Sequence, residues 1–466
     1  MSHKSAGTGP QHVAVLVFPF TSHPASILRF VRSISTLAPD MQFTFFNISR
    51  SNSSLFLGSC NMGFGNIKPY NVWDGLPDGY TPPSSGNPLL EQIKLFLDNA
   101  LGSFEKAIKE VEAATGHKFD CLISDAFLWF SGDIAEKMHV SWVTFWISEQ
   151  RSMLLHIETD LIKEKLQGQE EDKTLGFLPG FSDDFRASDI QKEIALGDAV
   201  ESPLGKMLYK MGQKLPQATA VVINSFEMMD LKGSEELKKR LKRLVLVGPQ
   251  HLIRPVQTEN DDDEEEEEEA EDGCLQWLDK QKPASVAYIS FGTVGALPPM
   301  EVGALAEALE EGGFPFIWSF RGNQEHFPQG FIERTNKLSL GKVVPWVKQE
   351  KILNHSSVGV NVTHCGWNSI LESITGGVPI IGRPCFAEQF LLMRSVEIVW
   401  KIGVRIEGGV FSKTGAVKAL EQALSLEQGK ETRQRIEILK QLAQEAVAPN
   451  GRSAEDLKAL VDIIKS

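Results

Sequence analysis

No apolar run in this chain approaches the roughly 18 residues needed to span a bilayer. The polar start MSHKSAGTGPQH passes into the short run VAVLVF and then into charged sequence, the wrong order for a secretory signal. Cysteine is scarce: Cys60, Cys121, Cys274, Cys365 and Cys385 are scattered, odd in number, and form no CxxC pair. That pattern excludes a disulfide framework and a cysteine zinc site, and makes the cytosol the expected location. Basic residues are nowhere concentrated, which removes nucleic acid as a partner. The first apolar run is followed by FPFTSHP rather than GxGxxG, which argues against a dehydrogenase or epimerase. There is no DxD and no carboxylate cluster outside one low-complexity run, so no metal site is expected.

What is present is a 466-residue chain, too long for one hydrophobic core. Its formal charge of −14 is mostly local: residues 261–272, DDDEEEEEEAED, hold eleven acids, and without them 50 acidic residues face 47 basic ones. Such a run repels itself and is expected as a solvated loop insertion. Continuous apolar runs at 13–19, 41–48, 119–127, 141–147 and 220–226 read as buried strands, with helical patterns between them. A second series begins with SVAYISFG at 285–292 and continues through PFIWSF, KVVPWV, VGVNV and VPIIGR. The fold class is therefore α/β, with two consecutive domains built on mostly parallel sheets. The expected division is 1–248, a linker at 249–284 that includes the acidic run, 285–447, and a terminal helix at 448–466.

Two places carry chemistry. In the second half, VGVNV delivers His364 to a glycine turn, and Trp367, Asn368 and Ser369 open a segment able to run as a helix through Glu372. The start of a helix offers free backbone N–H groups and a positive dipole end, both suited to a phosphate. An ordinary strand–helix junction with a capping histidine is the alternative. In the first half, His23 and Asp125 each follow a strand. Histidine titrates near neutrality, and a carboxylate on one ring nitrogen fixes its tautomer. Each residue serves equally well as a loop or cap, and nothing in the sequence brings the two together.

The 44 residues Trp346–Gln389, WVKQEKILNHSSVGVNVTHCGWNSILESITGGVPIIGRPCFAEQ, resemble the donor-binding signature of plant UDP-dependent secondary-metabolite glycosyltransferases. The resemblance implies a GT-B fold of two facing Rossmann-like domains. It also implies that the terminal helix crosses back onto the first domain. Trp346 would stack on uracil, with Val347 and Gln349 at the uridine and Glu372 on the ribose. His364, Asn368, Ser369 and Thr293 would hold the diphosphate, and Trp367, Glu388 and Gln389 would face the sugar. His23 would be the general base and Asp125 its orienting acid, in an inverting transfer that needs neither metal nor cofactor, by a monomer. Two departures stand out: Lys348 where the family has alanine or proline, and Glu388 where it has aspartate.

The motifs FPF.SH, SDAF, HIETDLI, LPGFSD and NSFE resemble the flavonoid 3-O-glycosyltransferase branch. On that basis His156 would meet the acceptor, beside Ser22 and Phe386. Phe20, Phe127, Trp129 and Met153 are candidates for its flat apolar walls or for core. A lone histidine such as His156 on an apolar helix is otherwise a packing residue. Gln389 resembles the glucose-using ending, which favours UDP-glucose. Ile147, where relatives carry threonine against the sugar 6-hydroxyl, offers no hydrogen bond, and an unpaired buried hydroxyl costs about 1–3 kcal/mol. Rhamnose is therefore the second donor, and another small phenolic the second acceptor. A UDP-sugar-binding protein without turnover would have lost His23 or Asp125, and both are present.

Overall fold

The computed structural model describes residues 10–56, 65–82, 87–166, 173–195, 201–253, 265–292, 297–425, 427 and 429–465. Thr293 and Cys60 lie outside the described residues, as does the beginning of the acidic run. By contacts, the chain divides into two compact units. One comprises Met1–Lys165, Lys192–Asp261 and Val447–Ser466, and the other Leu166–Gln191 with Asp262–Ala446.

The first unit is built on seven strands: β1 (His12–Leu16), β2 (Gln42–Ile48), β3 (Ile67–Val72), β4 (Cys121–Asp125), β5 (Ser141–Trp146), β6 (Ala220–Ile223) and β7 (Leu244–Leu246). All pair in parallel, in the order β3-β2-β1-β4-β5-β6-β7. The apolar runs are continuous because both faces of the sheet are covered. On one face, Val13, Val15 and Val17 pack under Ile27, Phe30, Val31 and Ile34 of the helix His23–Leu37. Leu457, Leu460, Val461 and Ile464 of the final helix Arg452–Lys465 join the same core, at the spacing of one helical face. Ser453 Oγ donates to the Gly248 carbonyl, and Asp456 accepts from the Leu246 N–H, fixing that helix over the end of β7.

The second unit holds β8 (Val286–Ser290), β9 (Phe316–Ser319), β10 (Gly341–Val344), β11 (Val358–Thr363), β12 (Ile380–Gly382) and β13 (Gly403–Arg405). These six also run parallel, in the order β10-β9-β8-β11-β12-β13. In each sheet the strand order reverses beside the first strand, between β1 and β4 and between β8 and β11. Such switch points are where open α/β sheets bind ligands, beyond the carboxyl ends of their strands. Among the described residues, no helix is long and apolar enough to cross a membrane.

Two expectations change. The acidic run is not wholly a loop, because Glu265–Leu278 is a helix. Glutamate is a good helix former and carboxylates suit a helix N-terminus. The far end is anchored by Cys274, Trp277 and Leu278 in the core of the second unit, with Trp277 Nε1 donating to the Ser339 carbonyl at 3.3 Å. The segment 166–191, expected with the first domain, belongs to the second unit. Its Asp189 carboxylate lies 3.4 Å from Arg405 Nη2, and its Asp184 carbonyl accepts from Arg394 Nη2 at 2.8 Å.

Candidate active site

β1 and β4 are neighbours, with Leu16 opposite Ser124, so their carboxyl ends meet although they stand about a hundred residues apart. β1 leads to a turn in which Thr21 adopts φ 56°, and His23 opens the following helix. Asp125 closes β4. The structure brings the two together: His23 Nδ1 lies 2.7 Å from Asp125 Oδ2, with the histidine 5% and the aspartate 1% exposed. Asp125 Oδ1 accepts from the Phe127 N–H at 2.9 Å. With both carboxylate oxygens engaged as acceptors, the neutral imidazole carries its proton on Nδ1. Nε2 is left as a lone pair able to take a proton.

Around this pair runs an aromatic wall. The His23 ring lies 5.0 Å from Phe18 and 4.6 Å from Phe127. Phe20 packs on Phe18 at 5.1 Å; Phe127 reaches Trp146 at 6.0 Å, and Trp146 meets His156 edge-on at 5.2 Å. His156 sits on the helix Gln150–Ile157, 1% exposed, and its Nδ1 has no hydrogen-bond partner among the described residues. Burial pushes its pKa down to about 3, so the ring is neutral. Ser22 is exposed on the turn before His23. Met153 is wholly buried and serves as core, whereas Trp129 is half-buried with Lys210 Nζ 4.4 Å above its ring. Ile147, just beyond β5, packs against the core of the first unit. Its neighbour Ser148 is buried, with a hydroxyl that finds no partner among the described residues. Phe18 and Trp146 were not singled out from the sequence, although the FPF and FWI patterns at strand ends carried the signal.

In the second unit, β11 ends in a turn whose Cys365 has φ 66°, and the helix Trp367–Gly376 starts from Gly366. Cβ atoms at Gly292 and Gly366 would stand 3.0 Å and 2.6 Å from the His364 ring, so both glycines are there to seat it. Burial pushes the His364 pKa down to about 4, with a hydrogen bond to the Ser290 backbone acting the other way. At neutral pH this ring is therefore uncharged and still has an N–H to offer. Gln349 Nε2 donates to Glu372 at 2.6 Å and to Ser369 Oγ at 3.1 Å. Ser369 Oγ also meets Thr363 Oγ1 at 3.1 Å and Asn361 Nδ2 at 3.2 Å. Uridine-, ribose- and phosphate-assigned residues thus form one connected network at the start of the helix. Asn361, a polar residue inside the apolar run VGVNV, was its overlooked member.

Trp346 and Asn368 are half-buried at this end of the sheet. Val347 is 2% exposed and packs in the core, so any donor contact there is through its main chain. Trp367 is 4% exposed against Trp400 and has little side-chain surface to offer. Phe386 is 40% exposed. Gln389 Oε1 accepts from the Cys385 and Phe386 N–H groups at 2.8 and 3.1 Å, which closes the turn and leaves the amide NH₂ as the group it can present. Glu388 Oε2 lies 3.4 Å from Gln191 Nε2.

Comparison with known proteins agrees with this geometry. Residues 76–443 match the model of the family described as UDP-glucoronosyl and UDP-glucosyl transferase. An anthocyanidin 3-O-galactosyltransferase of Rhododendron delavayi is 46% identical over 463 residues, 97% of each chain. An anthocyanidin 3-O-glucosyltransferase of Vitis vinifera is 45% identical, covering 99% of this chain and 98% of its own. The crystal structure of a UDP-glucose:anthocyanidin 3-O-glucosyltransferase in complex with UDP superposes with a TM-score of 0.88. It is 38% identical and covers 98% of this chain and 100% of its own. The two parallel-sheet units are those of a GT-B fold, and the chain belongs to the UDP-glucoronosyl and UDP-glucosyl transferase family, within its plant flavonoid 3-O-glycosyltransferase branch.

Proposed function

We propose that this enzyme transfers a sugar from a UDP-sugar to the 3-hydroxyl of a flavonol or anthocyanidin, with inversion at the anomeric carbon. The observation that carries the chemistry is the buried His23–Asp125 pair. His23 Nε2 takes the proton of the acceptor hydroxyl, and Asp125 stabilises the imidazolium that forms. The acceptor oxygen bonds to the anomeric carbon as the bond to UDP breaks on the opposite face, so an α-linked donor yields a β-glycoside. Charge developing on the departing diphosphate meets His364, Asn368 and the N-terminus of the helix Trp367–Gly376. The flat wall from Phe20 through Phe127 and Trp146 suits an aromatic acceptor. The unpartnered, buried Nδ1 of His156 supports a hydrogen bond to one of its hydroxyls. Neither metal nor cofactor enters this scheme. The free thiols of Cys121, Cys274, Cys365 and Cys385 favour a reducing compartment such as the cytosol.

Glucose is the first donor, on the strength of Gln389 and of relatives named as glucosyltransferases. The unpartnered Ser148 hydroxyl beside Ile147 supports a site able to satisfy a 6-hydroxyl. Ile147 itself favours a 6-deoxy sugar, which keeps rhamnose as the second reading. Turnover of kaempferol, quercetin and cyanidin with UDP-glucose, UDP-galactose and UDP-rhamnose, with product position read by NMR, tests both. An efficient 3-O-glucoside supports the first reading, and a preferred 3-O-rhamnoside supports the second. Transfer to no flavonoid overturns the acceptor assignment.

A further inference from the structure

The segment Lys173–Gln191 folds on itself before it meets the sugar-facing residues. Thr174 and Arg186 form an antiparallel bridge, and the Leu175 N–H donates to the Phe185 carbonyl at 2.8 Å. Leu175, Leu178, Phe185 and Ile190 are buried. Asp189 fixes the end of this arm. Its Oδ2 accepts from the Arg186 N–H at 3.0 Å and lies 3.7 Å from Arg394 Nε, while Oδ1 lies 3.4 Å from Arg405 Nη2. Arg394 also donates to the Asp184 carbonyl through Nε and Nη2, at 3.1 and 2.8 Å. Arg394 belongs to the helix Gln389–Ser395, and Glu388 is that helix's N-cap. The arm is therefore tied by several independent bonds to the helix that Glu388 and Gln389 open. Two residues past Asp189, the Gln191 amide, 9% exposed, reaches the Glu388 carboxylate at 3.4 Å.

We infer that Gln191, held by the Asp189 anchor, is a positioning residue that sets the direction of the Glu388 carboxylate and thereby the choice among donor sugars. A glutamate has one more rotatable bond than an aspartate, so more directions are open to its carboxylate. The Gln191 N–H donor favours one of them, and a carboxylate aimed at sugar hydroxyls discriminates by which hydroxyl it meets. The contact is at the long end of hydrogen bonding, so its effect is modest. The inference rests on the proposed donor site.

The test is a mutant cycle read on the UDP-glucose, UDP-galactose and UDP-rhamnose panel, with UDP affinity measured by calorimetry. Wild-type transfer with a clear donor ranking tests the donor-site reading by itself. Gln191→Leu, close in volume, is expected to shift the ratio of kcat/KM between the best donor and its rivals by about threefold to tenfold. UDP affinity should stay within about twofold. In an E388A background the same substitution should leave the donor ratio unchanged. Q191E, which sets a second carboxylate against Glu388, should disturb the ratio further, and Asp189→Asn should reproduce part of the Gln191→Leu shift. An unchanged donor ratio in both Gln191 variants overturns the inference. So does an equal shift with Glu388 removed.

Discussion

At the residue scale the decisive fact is that His23 has a fixed tautomer. Asp125 accepts the hydrogen bond from Nδ1–H at 2.7 Å and is itself held by the Phe127 N–H. Replacing His23 with alanine removes the base and should lower kcat by about 10²- to 10⁴-fold. UDP affinity should be nearly unchanged, because the nucleotide-assigned residues lie in the other unit. Steady-state kinetics beside UDP calorimetry checks both, and near-normal turnover would remove His23 from that role. D125N should approach the same loss, since an amide in that place no longer enforces the tautomer or stabilises the imidazolium. His364 makes a different prediction. Its ring is neutral at pH 7, with a pKa near 4 in the free protein, and a bound diphosphate stabilises the protonated form and raises that value. Affinity for UDP through this residue therefore grows as pH falls. The ratio of UDP affinities between wild type and H364L should widen from pH 7 to pH 5, and titration of the nucleotide itself cancels in that ratio. A constant ratio means no proton is taken up there.

At the element scale the strand–turn–helix unit at His364 was readable because its parts obey local rules: an apolar strand, a glycine turn and a helix that follows. What the turn glycines are for was not readable. Gly366 has φ −65°, which any residue adopts, yet a Cβ there would stand 2.6 Å from His364 Nε2. G366A should therefore leave the backbone intact and displace the imidazole, weakening UDP binding by about tenfold or more with little change in Tm. If UDP affinity is unchanged, the ring does not contact the phosphate. Elements without periodicity stayed hidden for physical reasons. β3, IKPYNV, carries a lysine and a proline because it is the sheet's edge, where a missing N–H is tolerated. The acidic helix was read as a loop because charge density spoke louder than helix propensity. Its anchoring residues, Cys274, Trp277 and Leu278, come only at its end. The arm Lys173–Gln191 has turns and ion pairs in place of a hydrophobic period, so its attachment to the second unit follows from partners more than two hundred residues away.

At the scale of the whole molecule, the buried histidines set how the fold responds to acid. His156 and His251 are pushed down to about 3, each chiefly by burial, and His364 to about 4; His12 is also lowered by burial. In the unfolded chain each titrates near 6.5. A group whose pKa is depressed by folding binds more protons when unfolded, so its contribution is intact above about pH 6.5 and is lost as pH falls toward 3 or 4. Between pH 6.5 and 5, each fully neutral buried histidine withdraws about 2 kcal/mol. Glu149 acts in the opposite sense. Burial raises its carboxyl to about 7, so it favours the folded state increasingly as pH drops from 7 to 4.5, offsetting roughly one histidine. His12, His156 and His251 all belong to the first unit, so their loss falls on that unit as pH drops, with Glu149, in the same unit, setting back part of it. Amide hydrogen exchange at pH 5 and pH 7, corrected for its intrinsic pH dependence, reads this directly. Protection in β1, β5 and β7 should fall from pH 7 to pH 5. H251F, which removes one of the depressed groups away from the catalytic pair, should flatten the pH dependence of the first unit's stability. A pH dependence that H251F leaves unchanged would mean that the histidines are not what acid attacks first.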